Sequence, residues 1–151
     1  RADDALRQTS AQWAGEGVQT LDGTPLPDFP DGSILLPAGA GEPAFLVGPN
    51  FRTLLRYNNS TSYALAVSLL AQRIAGGAGV QGTWPRDLQP LSRDQLKALQ
   101  SALVERGFAA GGADGQMGPA TRQALRAWQR SQGLPADGYP TPDMLATLQA
   151  R

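Results

Sequence analysis

The sequence of 151 residues carries 13 basic and 13 acidic side chains, is 41% hydrophobic and 17% charged, and contains neither Cys nor His. Thiol catalysis, disulfides, His-based triads and Cys/His zinc sites are therefore excluded, and a net charge of zero supplies no long-range field to capture nucleic acid or an acidic membrane. A chain of this length holds one ordinary domain or two small ones.

The 18 Gly and 12 Pro gather at positions 22–43, 76–90 and 107–118 and divide the chain into blocks. In the first block, residues 3–17 read as a helix carrying Ala5, Leu6, Thr9 and Trp13, stopped by Gly15 and Gly17. Residues 24–30 are too proline-rich for a central strand. Two short apolar runs follow at 34–36 and 44–47, separated by Pro37, Gly39 and Gly41, which predicts a small hairpin. Residues 50–57 read as a short helix, and Asn58, Asn59 and Ser60 punctuate it with residues that tolerate turns and cap helices. Over 61–74 the apolar Tyr63, Val67, Leu70 and Ile74 recur at helical spacing, a stripe that reads as core and ends at Gly76 and Gly77.

Past the linker, Ser92 and Gln95 form a capping-box pattern that opens a helix with Leu96, Leu99 and Leu103 on one face, closed by Gly107. Two copies of one unit follow at an offset of 23 residues. Asp114, Gly115, Pro119 and Leu125 match Asp137, Gly138, Pro142 and Leu148. Each copy is a turn whose Gly can take positive φ, then Pro at the first helical position, where a missing N–H costs least. So short a repeat predicts a compact three-helix unit rather than a solenoid. No apolar run approaches the ~20 residues of a bilayer span. Arg1 stands where an initiator Met would, with no signal-type segment, so the sequence reads as a piece of a longer chain.

The second half resembles the three-helix peptidoglycan-binding domains at the ends of many cell-wall hydrolases. The residues that carry the likeness are Leu99, Gln100, Leu103, Gly107, Asp114, Gly115, Gly118, Thr121, Arg122, Ala124, Leu125, Trp128, Gln129, Gly133, Leu134, Asp137 and Gly138. Gly, Leu and Trp at such spacing serve turns and core whether or not anything binds, and Asp114 and Asp137 are expected to hydrogen-bond their own turns. Exposed side chains around the loops are the candidates for saccharide or stem-peptide contact: Gln116, Arg122, Arg126 and Tyr139.

The first half resembles the carboxy-terminal part of the catalytic domain of B-type lytic murein transglycosylases. The matching stretch runs GEPAFLVGPNFRTLLRYNNSTSYALAVSLLAQRIAG over 41–76, with a looser match upstream through Trp13, Gly17, Val18, Leu35, Leu36 and Pro37. The implied fold is mainly α: the end of a lysozyme-like transglycosylase domain over 1–80, with helices and a small hairpin, a linker over 81–90, and a three-helix peptidoglycan-binding domain over 91–151. The resemblance implies that Tyr57, Asn58, Ser60 and Tyr63 complete the glycan groove as substrate-binding residues. A carboxamide can hold an N-acetyl group, and a phenol offers a sugar ring an apolar face with a hydroxyl beside it. The same residues also admit a plain structural reading, with Asn58 and Ser60 capping the next helix and Tyr63 in the core stripe.

Enzymes of that family cleave the bond between N-acetylmuramic acid and N-acetylglucosamine, form a 1,6-anhydro product, and use one Glu as acid and then base, unlike glycosidases with paired carboxylates. Glu16 at a helix end, Glu42 in a Gly-rich loop and Glu105 in the binding module match no catalytic segment of the family. The general acid/base Glu is expected upstream, so no catalytic residue and no metal or cofactor is assigned to this sequence, which should bind but not cut alone. The expected partners are peptidoglycan glycan strands and stem peptides, together with the missing N-terminal catalytic segment, and neither nucleic acid nor a membrane. The implied location is the periplasm of a Gram-negative bacterium, in association with the cell wall, and any lipid anchor would sit on a Cys upstream of Arg1. The alternative is a non-catalytic cell-wall anchoring or binding protein.

Overall fold

The computed structural model describes residues 6–84, 86 and 89–150, which fall into two units. The first takes in residues up to Pro37 and Gly41–Trp84. The second comprises Ala38–Ala40 and the chain from 85 onward. No helix among the described residues is long and apolar enough to cross a membrane.

In the first unit, α1 (Ser10–Gly15) opens with a capping box in which Thr9 and Gln12 satisfy each other's backbone N–H groups. This helix is much shorter than the sequence predicts. Leu6 is not helical, and Gln8 instead pairs its backbone with Gly32 in an antiparallel bridge. Positions 3–5 of the expected helix lie outside the described residues. Long-range pairing has overridden local propensity, and it is reinforced by Trp13, 1% exposed, whose indole N–H donates to the Gly32 carbonyl at 2.9 Å.

The predicted hairpin is present as β1 (Ser33–Leu35) and β2 (Phe45–Val47), antiparallel with Ile34 opposite Leu46. It leads into α2 (Pro49–Tyr57), with Pro at its start, and α3 (Thr61–Ile74). Phe51, Ala64 and Leu65 form the buried centre, with Leu35, Phe45, Val47, Leu54, Leu55 and Leu69 packed around them. The buried face of α3 is therefore not the stripe the spacing predicts. Tyr63, Leu70 and Ile74 are 38%, 61% and 80% exposed. Because α3 is apolar on two sides, periodicity alone cannot say which one meets the hairpin.

The second unit is a three-helix bundle of α4 (Arg93–Glu105), α5 (Pro119–Ser131) and α6 (Pro142–Gln149). Ser92 and Gln95 form the predicted capping box. Leu99, Leu103, Leu125 and Trp128 are at most 1% exposed, and Leu96, Ala102, Ala110, Ala124, Leu145 and Leu148 complete the core. Arg106 reaches across to the end of α6 and donates to the Leu148, Thr147 and Ala150 carbonyls, which satisfies acceptors that a helix terminus leaves open.

Candidate functional site

The four residues expected to line a glycan groove meet at the junction of α2 and α3. Tyr57 ends α2 and is 82% exposed, and its ring centroid lies 6.3 Å from that of Tyr63 with the planes tilted by 33°. Two phenols side by side and open to solvent present the apolar faces and hydroxyls suited to a sugar ring. Asn58 caps α2 through its backbone, donating to the Leu54 carbonyl at 2.9 Å, while its exposed carboxamide has no hydrogen-bond partner among the described residues. Ser60 is the N-cap of α3 and accepts from the Tyr63 N–H at 3.2 Å. Capping thus accounts for Ser60 but not for the Asn58 side chain, and burial does not account for Tyr63. The first unit also has a largely apolar cleft of about 440 Å³ lined by Phe29, Phe45, Val47, Phe51, Leu65 and Leu69, and none of the four residues borders it.

None of the three Glu faces this junction through a described hydrogen bond or ion pair. Glu16 caps α1 and accepts from the Gln8 amide at 3.1 Å; Glu42 is half-buried in the hairpin loop; Glu105 closes α4 on its exposed side.

In the second unit each Asp-Gly turn is held by a buried glutamine. The Gln100 side chain, 1% exposed, donates to Asp114 Oδ1 at 3.0 Å, to the Gln116 carbonyl at 3.1 Å and to Thr121 Oγ1 at 3.0 Å, and accepts from the Gly115 N–H at 2.8 Å. Gln129, fully buried, repeats the arrangement. It donates to Asp137 Oδ1 at 2.7 Å and to Met144 Sδ at 3.6 Å, and accepts from the Gly138 N–H at 2.8 Å. Asp114 and Asp137 also accept from the N–H two residues on, both at 2.8 Å, as their turn role requires. Sequence reasoning attached no role to the two glutamines. The signal was available in a second offset, 29 residues, at which Arg93, Leu96, Lys97 and Gln100 match Arg122, Leu125, Arg126 and Gln129.

Of the residues singled out for wall contact, Gln116 is exposed, and Arg122 and Tyr139 are half-buried. Arg126 departs from the expectation of an exposed side chain. It is 9% exposed and lies over Gly138, with its Nε–H directed to the Asp137 carbonyl at 3.4 Å. Its aliphatic stem packs on the turn because glycine leaves room for it.

Hydrogen bonds from the Gln100 amide and the Gln116 N–H, with Arg93 acting in the same direction, hold the Asp114 carboxyl below its ordinary value of 3.8. A carboxyl whose pKa is lowered in the folded state stabilises that state fully above the unfolded value and ceases to do so as pH falls through the folded one. The thermal midpoint of the second unit should therefore drop on acidification below pH about 4, and Asp114→Asn should flatten that drop. An acid profile unchanged by the substitution would contradict this assignment.

The Transglycosylase SLT domain family matches residues 1–72, and the peptidoglycan binding domain family matches residues 92–148. Fold and matches together define a transglycosylase-type segment followed by a peptidoglycan-binding domain, a combination that associates the chain with the cell wall. The resemblance to the B-type lytic transglycosylases is matched by these two domains and by structural neighbours that are SltB3, a B-type lytic transglycosylase. The chain is similar to SltB3 from Pseudomonas aeruginosa in complex with NAG-anhNAM-pentapeptide, at 48% identity and a TM-score of 0.89 over 99% of this chain. Against SltB3 in complex with NAG-NAM-pentapeptide the identity is 50% and the TM-score 0.89, over 98% of this chain. Over 59 residues, 39% of its length, it is 42% identical to the N-acetylmuramoyl-L-alanine amidase CwlM of Mycobacterium tuberculosis. The chain spans 40% of SltB3 and 14% of CwlM.

Proposed function

We propose that this chain is the portion of a periplasmic lytic transglycosylase that completes the glycan groove and holds the enzyme on peptidoglycan. The whole enzyme cleaves between N-acetylmuramic acid and N-acetylglucosamine with formation of the 1,6-anhydro product. The observation that carries this reading is the junction of α2 and α3, where Tyr57, Asn58 and Tyr63 present two phenols and an unpartnered carboxamide to solvent. Exposed as they are, these groups are available to a saccharide, in line with the role the resemblance implies for them. The exposed apolar side of α3, with Leu70 and Ile74, supports the reading from another direction. A helix apolar on both faces is suited to burial on both, and further polypeptide bearing the acid/base Glu would supply the second cover.

In this assignment the first unit contributes binding surface rather than the proton-transfer group, so the chain alone retains glycan without cutting it. The second unit binds peptidoglycan by local contacts, since a net charge of zero gives no general attraction to an acidic polymer. Incubation with purified insoluble sacculi tests both statements. The chain should sediment with them at low and at moderate salt, and mass spectrometry of the supernatant should find no anhydro-muropeptides. Retention that vanishes at moderate salt would contradict the binding mode, and release of anhydro products would sink the claim of inactivity.

A further inference from the structure

The two Asp-Gly turns of the second unit share the glutamine bonds to the aspartate Oδ1 and from the glycine N–H, and the bond from the N–H two residues on, but differ at the other aspartate oxygen. At the second turn, the other carboxylate oxygen of Asp137, Oδ2, accepts from the backbone N–H of Ala40 at 2.8 Å. The segment Ala38–Ala40 lies against this turn as a short peptide of small residues, with Ala38 and Gly39 buried. At the first turn the corresponding oxygen, Asp114 Oδ2, has no donor among the described residues, and Asp114 and Gln116 are both exposed. One copy of the motif is therefore seen with a peptide seated on it, and the other presents the same acceptor to solvent.

The seated segment also indicates which peptide would fit. Gly39, just before the donating N–H, has a φ of +96°. An L-side chain there would be strained by the backbone and would meet Asp137 Oδ2 at 3.1 Å and the Tyr139 Cβ at 3.3 Å. Positive φ is unfavourable for L-residues, open to glycine, and by mirror symmetry natural to D-residues, whose side chain leaves the backbone in the other direction. A turn of this kind selects a peptide whose residue before the donated N–H is glycine or a small D-amino acid.

We infer that the Asp114 turn is a peptide subsite that accepts, on Asp114 Oδ2, a backbone N–H preceded by a small D-residue. Rested on the peptidoglycan reading above, the source of that peptide is the stem peptide, which alternates D- and L-residues. The Asp114 carboxylate makes the hydrogen bond charge-assisted, and Arg93, whose charge acts on Asp114, sets a cation beside it for the carboxylates that a stem peptide carries.

The subsite can be tested by NMR titration of the whole chain, labelled with ¹⁵N, against two synthetic peptides: acetyl-Ala-D-Ala-Ala-amide and its all-L isomer. The D-containing peptide should shift the amides of Asp114, Gly115 and Gln116, and the all-L isomer should bind about tenfold more weakly. Asp114→Asn keeps an acceptor at Oδ1 for the turn but replaces Oδ2 with a donor, and should weaken binding of the D-peptide by about tenfold, the loss expected for one charge-assisted hydrogen bond. Equal binding of the two isomers, shifts confined to other parts of the chain, or an Asp114→Asn variant that binds as well as the parent would overturn the subsite. If the variant fails to fold, the shift map of the unaltered chain and the comparison of isomers still decide. Retention on sacculi separates this proposal from the functional reading. A chain that binds sacculi but not the D-peptide loses the subsite and keeps the function; one that binds the D-peptide but not sacculi keeps the subsite and loses the stem peptide as its source.

Discussion

Gln100→Leu should destabilise the second unit by about 3 kcal/mol, although leucine nearly matches glutamine in volume and the position is buried. The cost arises from what the leucine leaves behind. Four hydrogen bonds of 2.8–3.1 Å end on this one side chain, and its removal takes the partner from the Gly115 N–H and from one acceptor position of Thr121, which is 3% exposed. A buried group deprived of its partner costs about 1–3 kcal/mol, whereas the Gln116 carbonyl, in an exposed residue, can turn to water at little cost. Gln100→Glu makes a sharper control. It preserves the acceptor for Gly115 but sets a carboxylate against Asp114 Oδ1 in place of a donor, so its penalty should grow as pH rises through the carboxylate range. Native-state hydrogen exchange is the appropriate measurement because it resolves the two units. Protection should fall throughout the core of the second unit and most at Gly115, with the amides of α3 unaffected. If the leucine variant retained full protection, the turn would be shown to hold itself without the amide.

The elements that sequence reasoning found are those whose signals are local. Ser92 and Gln95, Gly118 and Pro119, and Thr141 and Pro142 each mark a helix start within four residues, and α4, α5 and α6 begin where these signals put them. The first helix was misjudged because its length depends on a distant partner: nothing between residues 3 and 9 announces that Gln8 will pair with Gly32. The face of α3 was misjudged for a related reason. Ala64 and Leu65 are less conspicuous than the regular stripe of Tyr63, Val67, Leu70 and Ile74, yet it is the small Ala64 that permits close packing and is fully buried. At the junction of α2 and α3 the sequence brings Tyr57, Asn58, Ser60 and Tyr63 to notice but cannot separate capping from exposure. Geometry divides them, assigning Ser60 to the cap and leaving Asn58 and Tyr63 open. The duplicated turn lock was obscured by its two offsets. Gln100 precedes its aspartate by 14 positions and Gln129 by 8, so one alignment cannot superpose helix and turn together.

Gly115→Ala should be the more damaging of two otherwise parallel substitutions, by about 2–4 kcal/mol against about 1–2 kcal/mol for Gly138→Ala. Both glycines sit at positive φ, +72° and +71°, so the backbone penalty is shared. The difference lies in what a methyl group meets. At Gly138 its neighbours are side-chain atoms, Arg122 Cγ at 2.7 Å and Arg126 Nε at 3.0 Å, and both arginines can swing part of their stems aside. At Gly115 the neighbours are Arg93 Cγ at 2.6 Å and the Arg93 carbonyl oxygen at 2.7 Å, and that carbonyl is in the first turn of α4. Relief there requires the helix itself to move, which disturbs the capping box of Ser92 and Gln95 and draws Gln100 away from the Gly115 N–H. Chemical denaturation of the two variants, followed by the exchange of the Leu99 and Leu125 amides, would rank them. Equal losses would show that positive φ alone sets the cost, and a smaller loss at Gly115 would mean that α4 yields to the turn more readily than its buried leucines permit.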